Sequence, residues 1–161
     1  MKKLFFAAVF TVICLCGFGQ QASMSTAAQK NLATARAVVN MFESGDFSNI
    51  GNYIATDAVD HSGMGEIKGL DSIKAMLNQM NTVMGDFKHE MIHEMADDQY
   101  VFQWMNQTST AKTDAMGMKA GQTITMNIIE VTRFDNAKIV EHWTFLNAAD
   151  AMKMMGHGDM K

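Results

Sequence analysis

The stretch TITMNIIEVTRFDNAKIVEHWTFLN, residues 123–147, decides the fold. Two runs rich in β-branched and aromatic residues flank Asp135, Asn136 and Ala137, the pattern of two strands joined by a tight turn. Pairing across a two-residue turn at Asn136 and Ala137 sets Glu130 opposite Trp143. One side of the hairpin then carries Met126, Ile128, Glu130, Trp143, Phe145 and Asn147, and the other Val131, Arg133, His142 and Thr144. The apolar side is expected to line a cavity, which makes Glu130 its carboxylate and Trp143 its wall. His142 then points away, while Glu141 shares the inward side but lies near the solvated hairpin end. A one-residue bulge would exchange the two faces and overturn the Glu130 assignment.

Upstream, YVFQWMNQTST at 100–110 reads as another strand. In residues 87–96, Phe87, His89, Met91, His93 and Met95 alternate with Lys88, Glu90, Ile92, Glu94 and Ala96, although a helix also satisfies Phe87, Met91 and Met95. The polar stretch AKTDAMGMKAGQ, residues 111–122, reads as a loop with two exposed methionines. The first half is helical in period. Leu32, Ala35, Val39 and Phe42 recur at three and four residues, Thr26 and Gln29 are placed as a capping box, and Gly45 suits the left-handed C-cap. A short helix is expected over Asn49 to Ala55, then a polar segment, then a helix from Leu70 to Gly85 with Ile73, Leu77, Met80 and Met84 on its stripe. AADAMKMM, residues 148–155, reads as a last helix. Helices followed by consecutive antiparallel strands define an α+β fold, a curved sheet packed against three helices as a cone whose open end suits a ligand.

The 161 residues fit one domain. Lys2 and Lys3, the apolar run Leu4 to Cys16, and Gly17 and Gly19 before Gln20 form a signal-peptide pattern over residues 1–19. Residues 20–25 are then a polar lead-in, 26–155 the domain and 156–161 a tail. A lipid anchor needs a small residue before its cysteine, and Cys14 and Cys16 follow Ile13 and Leu15. Cleavage removes both cysteines and leaves 11 basic against 17 acidic residues, a net charge of −6. An acidic exported domain without a basic cluster is a poor partner for nucleic acid, and no stable membrane insertion is expected. The destination is periplasmic or extracellular. Sixteen methionines remain after Met1, and their flexible thioethers suit an adaptable cavity.

These segments resemble the SnoaL-like polyketide cyclases, within the nuclear transport factor 2-like superfamily of curved-sheet cones. VVNMFESGDFSNIGNYIATDAVDHS (38–62) is similar to the family's opening helix, Gly-Asp turn and Asp-x-x-x-His segment. IKGLDSIKAML (67–77) is similar to its Gly-led helix, and IIEVTRFDNAKIVEHW (128–143) to its closing hairpin. The resemblance implies an α+β barrel-like cone, often a homodimer through the outer sheet face, and acid/base work on a carbonyl compound. A pocket carboxylate takes a proton beside the carbonyl, and no cofactor or metal is needed. The family commonly carries acids where this chain has Thr144 and Asn147, and neither residue can act as a carboxylate base near neutral pH.

The search for a base therefore moves to Glu130 and to His61, which matches the family's loop histidine. His61 either orients a carbonyl, acts as base beside Asp57 or Asp60, or bonds a backbone carbonyl of its loop. Asn147 is expected to donate to the substrate, while Trp143, Trp104, Tyr53, Phe145 and Met126 line the pocket. In a strand, His89 and His93 share a face about 13 Å apart and cannot chelate one ion. The tail's Met152, Met154, Met155, His157 and Met160 are soft ligands of a kind that bind Cu(I), or a helix end packing its methionines. Three readings stand open: a cofactor-free cyclase, isomerase or hydratase acting on a small carbonyl-bearing molecule; a non-catalytic binder of such a molecule that has lost the base; and a copper-handling or interaction protein.

Overall fold

The computed structural model describes residues 24–62, 65–115 and 117–154. The expected signal peptide and the 156–161 tail lie outside them. Helix α1 spans Thr26–Ser44. Its N-cap is Ser25, whose Oγ accepts the Ala28 N–H at 3.0 Å. The expected capping box at Thr26 is thus displaced by one residue, and Gln29 donates its side-chain amide to the Met24 carbonyl instead. Gly45 ends the helix at φ 69°, the left-handed cap expected of it. The Asn81 amide donates to the Gly45 carbonyl at 3.1 Å and ties this end to the second helix.

The expected short helix reduces to one 3-10 turn over Ile50–Asn52. From Ile54 to Asp60 the chain is instead a strand, β1, with a two-residue partner β2 at Ile67–Lys68. Helix α2 spans Leu70–Val83, and Gly85 lies just past it in strand β3, Met84–Ala96. Strands β4 (Tyr100–Ala111), β5 (Thr123–Asp135) and β6 (Lys138–Leu146) follow, then helix α3 at Ala148–Met154. No helix among the described residues is long and apolar enough to cross a membrane.

The six strands form one curved, open sheet in the order β2-β1-β6-β5-β4-β3. Every pairing is antiparallel except β1 with β6, so the sheet is mixed rather than purely antiparallel. Helices α1 and α2 cover its inner face. Between them lies a core that includes Leu32, Ala35, Ile50, Ile73, Leu77 and Phe134. Each of these side chains other than Ala35 contributes roughly 1.5–3 kcal/mol by leaving water. Phe42 joins this core to a second cluster, packing edge-on against Phe47 at 5.1 Å and Phe87 at 5.8 Å. Met118, expected on an exposed loop, is buried in that second cluster beside Met84 and Ala111.

Two bulges decide which side chains face the cavity. Asn136 (φ 49°) and Ala137 (φ 59°) make the expected two-residue turn, the left-handed pair that matches strand twist. One step beyond it, Phe134 pairs with Ile139 but Arg133 with Glu141, so Val140 is an extra residue. From there Glu130 stands opposite Thr144 rather than Trp143. His142 and Thr144 turn inward, and Trp143 and Phe145 turn outward. The second bulge sits in β3, where Met91 pairs with Met105 but His93 with Trp104. His89 faces in and His93 faces out, so they do not share a face as regular alternation predicts.

Candidate functional site

The register of three neighbouring strands assembles the site. Asp60 on β1 is directly beside His142 on β6, and His142 lies two residues from Thr144, the partner of Glu130 on β5. His142 Nδ1 is 3.0 Å from Asp60 Oδ2, and Nε2 is 3.3 Å from Glu130 Oε2. Ser62 completes the cluster. Its backbone N–H donates to Asp60 Oδ1 at 2.8 Å, its hydroxyl donates to the same oxygen, and its Oγ lies 3.1 Å from His142 Nδ1.

This arrangement holds the imidazole charged. Burial disfavours its cation most strongly, but the hydrogen bonds and charges of Asp60 and Glu130 together outweigh burial and push the His142 pKa up to about 10. Burial likewise pushes Asp60 up, and the bond and charge of His142 with the two Ser62 bonds overcome it, leaving Asp60 below its ordinary value. The His142 side chain is 22 % exposed and lines a cavity. Glu130 uses Oε2 toward His142, and its Oε1 has no protein partner among the described residues.

The cluster forms part of the wall of a cavity of about 280 Å³. Most of the remaining wall is apolar: Val39 and Phe42 from α1, Ile73, Leu77 and Met80 from α2, and Met126 and Ile128 from β5. A carboxylate with a free oxygen, next to a fixed cation in an apolar chamber, can accept a proton and stabilise the anion left behind. Among the described residues no group of three His, Cys, Asp or Glu side chains could hold a metal ion.

Of the residues expected from the sequence to be catalytic or to line the pocket around the substrate, Glu130 and Met126 line this cavity. Trp104 and Phe145 lie on the outer sheet face, 45 % and 54 % exposed, and Trp143 shares that face. Their placement as pocket wall is corrected: the Val140 bulge reverses Trp143 and Phe145 on β6, and Trp104 on β4 alternates with Gln103 and Met105, which take the inward, buried positions. Asn147 is not a pocket donor either. Its Oδ1 accepts the Asp150 N–H at 2.9 Å and its Nδ2 donates to Asp150 Oδ2 at 2.6 Å, which caps helix α3. Tyr53 is half-buried at the end of the 3-10 turn, outside the cavity lining, and its carbonyl accepts the Ile139 N–H.

His61 follows Asp60 and therefore points to the opposite face. It stacks flat on Trp143, with ring centres 4.9 Å apart and planes within 8°. Its Nδ1 is 3.6 Å from Glu66 Oε1, its Nε2 is buried without a partner, and it does not line the cavity. The residues not anticipated as site members are His142, Asp60 and Ser62. The signal available for them was the bulge alternative itself, which carries His142 inward with Thr144. In the C-terminal segment Met152 is half-buried, and Met155, His157 and Met160 lie outside the described residues.

The sequence profile of the SnoaL-like polyketide cyclases matches residues 32–155, and the chain belongs to that family. No curated protein matches it. Among solved structures it is similar to AclR from Streptomyces galilaeus, a hydroxylase candidate, with 25 % identity and TM-score 0.65 over 81 % of this chain and 87 % of that one. An LEH-like epoxide hydrolase of M. tuberculosis shares 17 % identity and TM-score 0.67 over 81 % of this chain and 92 % of its own. A SnoaL-like polyketide cyclase from Agrobacterium tumefaciens shares 17 % identity and TM-score 0.65, covering 78 % of this chain and 98 % of its own. The likenesses below 25 % identity carry the fold alone.

Proposed function

We propose that the protein binds a small, largely apolar, carbonyl-bearing molecule in the cone and moves a proton on it without a cofactor, as a cyclase or isomerase. The single observation behind this reading is His142 clamped between Asp60 and Glu130 at the wall of an apolar cavity. Glu130 Oε1 takes the proton from the carbon beside the carbonyl. A neutral Glu130 accepts more weakly, so the His142 cation is released to stabilise the enolate oxygen that develops. Asp60 and Ser62 hold the imidazole in place. The test is a thermal-shift screen of carbonyl compounds, followed by solvent-deuterium incorporation into each ligand found.

A second reading, a binder without turnover, is favoured by Thr144, which lines the cavity and cannot serve as a carboxylate base. A ligand that raises the melting temperature yet exchanges no proton selects it. A copper-handling role of the methionine-rich C-terminus is the least supported reading, and an unchanged Cu(I) affinity after deleting residues 152–161 removes it.

The assembly proposed is a homodimer through the outer sheet face. Met95, Phe102, Trp104, Ile129 and Phe145 are each 40–56 % exposed there, an apolar concentration that a monomer rarely leaves in water. Trp104→Glu combined with Phe145→Glu is expected to halve the mass measured by light scattering and to leave the circular dichroism unchanged. A double variant that stays dimeric rules this face out. Export after cleavage before Gln20 completes the proposal, and N-terminal sequencing of the mature protein checks it.

A further inference from the structure

The cavity has a second polar pole, away from the Glu130 cluster. His89 on β3 and Gln107 on β4 are cross-strand partners, and both line the cavity. The His89 side chain is 5 % exposed. Glu43 on α1 fixes it twice, with Oε1 accepting the His89 backbone N–H at 2.9 Å and lying 3.2 Å from Nδ1. His89 Nε2 is 3.3 Å from Gln107 Oε1. Phe42 closes the remaining side, its ring edge-on to the imidazole at 6.4 Å.

This chain leaves one polar atom over. If the ring is neutral with Nδ1–H donated to Glu43, Nε2 is an acceptor. Gln107 then turns its NH2 toward it and keeps its carbonyl oxygen for the cavity. If the ring is protonated, Nε2–H donates to Oε1 and the Gln107 NH2 is left for the cavity. Either way one end of the amide has no partner among the described residues. That end of the amide is accessible rather than buried, since among the described residues only His61 Nε2 is a buried side-chain polar atom without a partner, and a ligand hydroxyl, which both donates and accepts, satisfies either form.

The two poles also set a length. Gln103, cross-strand to Glu130, and Gln107 are four residues apart on β4, or about 13 Å along a strand. Buried Met105, Met126 and Ile128 form an apolar cluster in this part of the sheet. With a hydrogen bond of about 3 Å at each pole, the ligand's polar atoms stand about 7–13 Å apart, the lower figure for bonds lying along the strand. We infer that Glu43, His89 and Gln107 form a hydroxyl-reading subsite, so that the ligand is an elongated apolar body with a carbonyl at the Glu130 end and a hydroxyl at the other. His89 and Glu43 are positioning residues for Gln107. The inference rests on the pocket reading above and fails separately from it.

Two probes test it, 6-hydroxy-2-naphthaldehyde and 2-naphthaldehyde, titrated calorimetrically into the full mature protein. The hydroxylated probe is expected to bind about tenfold more tightly, as one additional hydrogen bond confers. In Gln107→Met, which keeps the length of the side chain, that advantage disappears while 2-naphthaldehyde binds as before. Should Gln107→Met not fold, His89→Phe provides the same comparison with the packing against Phe42 retained. Equal binding of the two probes to the wild type, or an advantage that survives in the folded variant, overturns the subsite alone. Binding of neither probe overturns the pocket reading and the subsite together.

Discussion

Replacing His142 by leucine destabilises the protein by about 3–5 kcal/mol at neutral pH, the usual cost of removing one partner from a buried ionic cluster. Asp60 is 7 % exposed and Glu130 faces the cavity, so both would lose the cation that offsets their desolvation. The effect depends on pH with a definite sign. His142 titrates near 6.5 when unfolded and near 10 in the fold, so the folded protein keeps a proton that the unfolded chain releases. Its stabilisation is complete below the lower value. It falls by about 1.4 kcal/mol per pH unit across the window and is lost as pH passes the upper one. Asp60 acts at the acid end. Its folded value lies below 3.8, so its contribution is present above that value and lost as pH falls through the folded one. Urea denaturation of the wild type and His142→Leu at several pH values between neutrality and the folded His142 pKa measures the difference. The two should converge with rising pH, and a gap that stays constant contradicts the charged imidazole.

Glu130→Gln lowers proton transfer by about a hundredfold to ten-thousandfold, the range for loss of a positioned general base. The substitution keeps the shape and the hydrogen bond to His142, whose Nε2 lies 3.3 Å from the Glu130 carboxylate. Ligand binding should therefore change little. A loss in kcat with KM nearly unchanged identifies an interaction needed only in the transition state. Deuterium incorporation from solvent at the carbon beside the carbonyl reads the step directly. Undiminished incorporation by the variant removes Glu130 as the base. Thr144→Asp provides the contrasting case, because it restores an acid beside Glu130 at a position that lines the same cavity.

The closing hairpin shows how far the sequence reaches. Its two strands and its turn at Asn136 and Ala137 were legible from β-branched runs and turn chemistry, as were α1, α2, α3 and the Gly45 cap. The facing of β6 was not. The rule that apolar residues point inward fails here because the outer face holds Trp104, Ile129 and Phe145, while the cavity wall holds Glu130, His142 and Thr144. Only the extra residue Val140 settles the direction, and nothing in KIVEHW announces it. Strand β1 was hidden for a related reason. Ile54–Asp60 pairs in parallel with β6 through an irregular register between Ile54 and Val59, so no period of two shows in IATDAVD. Missing that strand removed Asp60 from the neighbourhood of His142. Glu130 could be placed in the cavity because Met126 and Ile128 share its face whichever way β6 turns.

The charge on His142 is the feature on which the proton chemistry, the alkaline loss of stability and the effect of leucine all depend. Histidine-labelled protein observed by 15N NMR over a pH titration measures it directly. Both His142 nitrogens should remain protonated through neutral pH and titrate near 10. Titration near the ordinary histidine value of about 6.5, with one nitrogen unprotonated at pH 8, would contradict the charged cluster.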